Sequence, residues 1–97
     1  MIVKARNKRP IISFEFGKST GEIKMGSPVK VCVNNLFNTS VFESIIKPIA
    51  DVTIVKETEF LYSVTPTDVG IFNITLELTN SQTGKIIKSN TIKLNSI

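Results

Sequence analysis

Apolar residues recur at every second position along most of this chain, in runs too short for a helix of three turns. Val29, Val31 and Val33 alternate with Lys30 and Cys32; Ile12, Phe14 and Phe16 share a face after Pro10. Residues 41–46 and 51–55 make two further short runs, the second with Val52 and Ile54 on one face. Phe60, Tyr62 and Val64 alternate with Leu61 and Ser63. Gly70, Phe72, Ile74, Leu76 and Leu78 then alternate with Ile71, Asn73, Thr75 and Glu77. A last run covers residues 86–94, with Lys88 and Lys93 along it. Period two is the signature of a half-buried strand, because successive side chains point to opposite faces.

The connections carry breakers. Residues 17–21 hold two glycines, Gly26-Ser27-Pro28 introduces a strand, and Lys47-Pro48 ends one where a missing N–H is harmless. Thr65-Pro66-Thr67-Asp68-Val69-Gly70 joins the two best alternating runs. Pro66 presets φ for a turn, and Gly70 permits backbone angles closed to other residues. Seven short strands at roughly ten-residue spacing predict an all-β, immunoglobulin-like β-sandwich of about seven antiparallel strands. At 97 residues there is room for one core. The expected division is an arm over residues 1–9 and one domain over 10–97.

Composition changes the picture little, since the 41% apolar share is mostly Ile, Val, Leu and Phe, which suit pleated surfaces. Charge changes it more. The net +4 comes from Lys4, Arg6, Lys8 and Arg9, and the remaining basic residues balance the eight acidic ones. A basic arm can gain by displacing counterions from nucleic acid or anionic membrane. It has no aromatic residue to stack on bases, and reads first as a solvated terminus or linker. Met1-Ile2-Val3 is too short for a secretory h-region. The expectation is a cytoplasmic protein, or one domain cut from a longer chain such as an adhesin. The single cysteine, Cys32, excludes an intrachain disulfide.

Candidate chemistry is sparse. The chain has no histidine, which removes the usual general base, proton shuttle and commonest metal ligand. Glu57 and Glu59 flank an expected turn and should lie in water, so they suggest no catalytic carboxylate pair. No acidic loop gathers the several oxygens that calcium needs. Gly17-Lys18-Ser19-Thr20 lacks the first glycine and the following helix of a phosphate-binding loop. No catalytic residue, cofactor or metal is therefore expected, and the chain reads as a non-enzyme.

From about residue 41 onward the chain resembles a filamin-type immunoglobulin-like repeat. Such repeats carry a Tyr-x-Pro-x-x-x-Gly-x-Tyr corner, which here reads Val64-Thr65-Pro66-Thr67-Asp68-Val69-Gly70-Ile71-Phe72, with Val64 and Phe72 in the tyrosine positions. Without the second tyrosine, packing must hold the bend. Lys47-Pro48-Ile49-Ala50 stands where the family has Gly-Pro-Ser, and Ser89-Asn90-Thr91-Ile92 where it has Gly-Ser-Pro-Phe. The resemblance implies a protein-binding, structural or cytoskeletal module of a multidomain protein, with a partner-strand groove between the third and fourth strands. The matching candidates are Val41, Glu43, Ile45, Ile46, Val52 and Ile54. The partner would be a protein or a neighbouring domain of the same chain. The alternative is a spacer in a bacterial or phage surface protein.

Overall fold

The computed structural model describes residues 9–15, 17 and 20–97. Over these the chain forms eight strands and no helix: β1 (Ile12–Phe14), β2 (Thr20–Ile23), β3 (Val29–Val33), β4 (Phe42–Ile46), β5 (Val52–Thr58), β6 (Leu61–Pro66), β7 (Gly70–Asn80) and β8 (Ile86–Ser96). They make two four-stranded sheets, ordered β1-β3-β6-β5 and β2-β8-β7-β4. Taking β1 and β2 as one strand split between the sheets gives the order of an immunoglobulin-like sandwich.

The alternating faces meet between the sheets. Val29, Val31, Tyr62 and Val64 from one sheet and Ile74, Leu76, Ile92 and Leu94 from the other are buried almost completely. Phe72, Ile54 and Val52 pack partly buried around them. At the corner Pro66 is buried and Gly70 opens β7 with φ 151°, in the region that favours glycine. The bend is fixed by packing and by backbone bonds, Thr67 N donating to Asp51 O at 2.8 Å and Gly26 N to Pro66 O at 2.8 Å.

Three details differ from the expected layout. β2 makes an eighth strand, and it pairs parallel to β8 through Thr20↔Lys93 to Ile23↔Ser96. Thr20-Gly21-Glu22-Ile23 has one large apolar residue and no alternation, so only the neighbouring β8 ladder makes it a strand. β5 continues past Val55 to Thr58, with a bulge between Lys56 and Thr58. β1 stops at Phe14, and Phe16 lies outside the described residues.

Two sheet edges face each other on each side of the sandwich. On one side are β1 and β2, on the other β4 and β5. An edge strand presents unpaired N–H and C=O groups that invite another strand, so how each edge is closed matters. The β1 edge is closed at Ile12 by a short side-chain amide. Asn90 Oδ1 accepts from Ile12 N at 2.8 Å and its Nδ2 donates to Ile12 O at 3.0 Å. Asn35, on the β3 side of β1, accepts from Ile11 N at 2.7 Å and donates to Arg9 O at 2.9 Å.

Candidate functional site: the cleft between β4 and β5

Between the β4 and β5 edges lies a groove of about 290 Å³, lined by Ile45, Ile46, Pro48, Val52, Ile54, Lys56 and Tyr62. The local sequence explains its shape. Pro48 ends β4, and a tight turn follows in which Val52 N donates to Ile49 O at 3.2 Å and Asp51 takes a φ of 64°. Aspartate tolerates this left-handed conformation better than most residues. The turn carries the chain from one sheet to the other, leaving Val52 and Ile54 facing Ile46 across the groove.

The predicted partner-binding residues divide by position. Ile45 is 46% exposed on β4, and Glu43 beside it is exposed. Val52 and Ile54 are half-buried on the groove wall, whereas Ile46 is only 5% exposed and belongs to the core. Val41 lies just before β4, where its carbonyl accepts from Ser81 N at 2.8 Å. Of the basic arm, Lys4, Arg6 and Lys8 fall outside the described residues. Arg9 is held to β8, its Nε donating to Lys88 O at 2.9 Å and its Nη2 to Ser89 O at 3.0 Å.

A polar cluster that sequence reading passed over closes one end of the groove. The Ser44 hydroxyl hydrogen-bonds the Tyr62 phenol at 2.7 Å and donates to Glu59 O at 2.8 Å. Ser44 N donates to the Glu59 carboxylate at 2.8 Å, and Lys56 Nζ donates to Ser44 O at 2.7 Å. Lys56 and Glu59 are themselves paired at 2.6 Å. Glu59 is therefore not a solvated turn carboxylate as expected; Glu57 pairs with Lys30 instead. The signal was present in the pattern. Val52, Ile54 and Lys56 share a parity, and Lys56 stands opposite the buried Tyr62 in the ladder. An inward-pointing lysine on an edge strand requires an anionic partner.

The protonation equilibria follow from this packing. Desolvation pushes the Glu59 carboxyl up, but hydrogen bonds from Lys56 and Ser44 outweigh it and hold the group below its ordinary value. Desolvation pulls Lys56 down, yet its bond to Glu59 and the neighbouring acidic groups leave it raised. Burial raises Tyr62. Glu59 thus stabilises the fold above the ordinary carboxylate value, and that contribution is lost as pH falls through its depressed folded value. For Tyr62 and Lys56 the sign is reversed. Their contribution is complete below about 10, the ordinary range of both groups, and is lost as pH rises through the raised folded values. The chain has one tyrosine and no tryptophan. An ultraviolet phenolate titration should therefore report Tyr62 alone, with a midpoint above about 10 and coincident with loss of strand circular dichroism. Phenolate formation at the ordinary value in a folded chain would show that the hydroxyl is not buried.

A larger hollow of about 370 Å³ lies over β7 and β8, bordered by Arg9, Lys47, Glu77 and Lys88. It sits above the β7–β8 ladder, and the carbonyls of Lys88 and Ser89 along it are taken by the Arg9 guanidinium. Among the described residues no three His, Cys, Asp or Glu side chains gather as metal ligands. Cys32 is free and half-buried.

No protein-family model matches the chain, and no curated protein matches it at a significant level.

Proposed function

We propose that this domain is a non-catalytic interaction module that receives an extended segment of another protein at the β4 edge. The observation that carries the reading is the apolar groove between two sheet edges. A strand added to β4 continues the β2-β8-β7-β4 sheet through its backbone. Its alternate side chains enter the groove against Val52 and Ile54, and the others lie beside Ile45. The filamin-type resemblance of the corner supports the same location, and a neighbouring domain of the same parent chain is an equally suitable donor. A second reading, a structural spacer such as a surface-protein repeat, is favoured by the side chains that cap β4 at Ser44.

Selection of peptides from a random library on the whole chain tests this. Docking at β4 predicts peptides with alternating apolar residues that shift the amides of residues 44–47 and 52–56. Ile45→Asp should weaken them about tenfold or more, since a buried charge replaces an anchoring contact. Ile71→Asp, at a 67% exposed position on β7, should leave them unchanged. Recovery of no peptide, or shifts confined to other strands, overturns the module in favour of the spacer.

A further inference from the structure

In an antiparallel ladder, residues alternate between bonding the neighbouring strand and facing away from it. Ser44 is opposite Leu78, and both its N–H and its C=O point away from β7 into the hairpin of β5 and β6. Phe42 has the same parity, and its N–H is already taken by Asn38 O at 2.9 Å. Ile46, next in that parity, turns its backbone groups outward, and no side chain of the described residues caps them. Among the described residues, the part of the β4 edge with both N–H and C=O uncapped is then a single residue, too short to hold a strand.

What blocks the rest is a pair of side chains. Glu59 accepts from Ser44 N and Lys56 donates to Ser44 O, the two bonds that one residue of an added strand would make. We infer that Lys56 and Glu59 form a releasable latch that imitates a docked strand at Ser44, and that a partner segment binds by displacing it. This rests on the docking at β4 proposed above. The opposite side of the sandwich supplies the contrast. There β1 is capped at Ile12 by the short neutral amide of Asn90, which has little reach to leave. Lys56 and Glu59 are long and charged, with side chains 33% and 29% exposed, and they flank the β5–β6 turn. They can exchange the Ser44 backbone groups and each other for water while the Ser44 hydroxyl keeps its bonds to Tyr62 and the Glu59 carbonyl. A neutral extended segment then takes over both Ser44 bonds and gains Ile46 beyond them. Because an ion pair must separate, salt favours the open form.

Amide hydrogen exchange on the full chain reads the latch without a ligand. Ser44 should be protected although no strand pairs with it on the side its N–H faces. Glu59→Ala should speed its exchange about tenfold or more and leave Glu43 and Ile45, bonded to β7, unchanged. Unaltered Ser44 exchange in Glu59→Ala overturns the latch. The tightest synthetic peptide from the selection above is the second probe. Its affinity should rise several-fold in Lys56→Met and in Glu59→Ala. It should rise with sodium chloride for the native chain and much less for the variants. Equal affinity in all three overturns the gating. Faster Ser44 exchange with no peptide bound by any form overturns docking at β4, and leaves the pair as a permanent edge cap.

Discussion

Ile74→Ala should destabilise the domain by about 2–5 kcal/mol, the range for removing most of a fully buried aliphatic side chain and leaving part of the cavity. Ile74 has no exposed surface and stands opposite Ile92, equally buried, in the middle of the β7–β8 ladder. β7 and β8 are the two longest strands and pair with each other here, while β4 reaches only to Leu76 on β7 and β2 only to Lys93 on β8. The cavity therefore lies against one continuous ladder, whose paired backbone resists collapsing into it. For a domain of this size, whose whole stability is about 5–15 kcal/mol, such a loss lowers the melting temperature by tens of degrees or leaves the chain unfolded. Ile74→Val, expected to cost about 0.5–1.5 kcal/mol, keeps the test readable if alanine abolishes folding. Ile71→Ala, three residues away on the solvent face, should change stability by less than about 0.5 kcal/mol. Equal effects at the two positions, measured by urea unfolding, would show that β7 does not present its faces as described.

The second large effect is expected at Tyr62. Replacing it with phenylalanine removes only the hydroxyl, which bonds the Ser44 hydroxyl at 2.7 Å between the two sheets. Ser44 keeps its bond to the Glu59 carbonyl, so the loss should be about 1–2 kcal/mol, one buried hydrogen bond plus imperfect repacking. That corresponds to a fall of roughly 4–15 °C in melting temperature. Tyr62→Ala also deletes a ring only 1% exposed and should cost about 3–5 kcal/mol. Ser44→Ala and the double variant complete a cycle. A coupling near zero would mean that the phenol and the serine hydroxyl stabilise the fold independently of their contact. The same cycle bears on the edge, because Ser44 joins the core network to the β4 rim.

The fold was legible in the chain to an unusual depth at some elements and barely at others. The parity of residues 70–78 put Ile74, Leu76 and Leu78 in the core, where they lie. The valines of 29–33 and the pair Tyr62 and Val64 were equally readable, because alternation reports directly which face is buried. β2 was not readable. Its four residues owe their extended form to the β8 ladder, a partner some seventy positions away that no local pattern announces. At the candidate site, alternation marked Val52 and Ile54 but could not tell the exposed Ile45 from the buried Ile46. Two neighbouring isoleucines on a strand point to opposite faces, and only the sheet's packing says which face is inside.

By itself, then, the sequence determined the sandwich, its corner at Pro66 and Gly70, and the residue types of its core. These follow from local rules: strand parity, the fixed φ of proline and the freedom of glycine. Tertiary structure alone decided that Lys56, Glu59, Ser44 and Tyr62 meet. They come from three different strands and a turn, with a bulge after Lys56, and the lysine and the glutamate reach the C=O and the N–H of one β4 residue. The edge at β4 is consequently held by charge and hydrogen bonds rather than by apolar pattern. Interactions of that kind depend on distances across the fold, which one-dimensional periodicity does not carry.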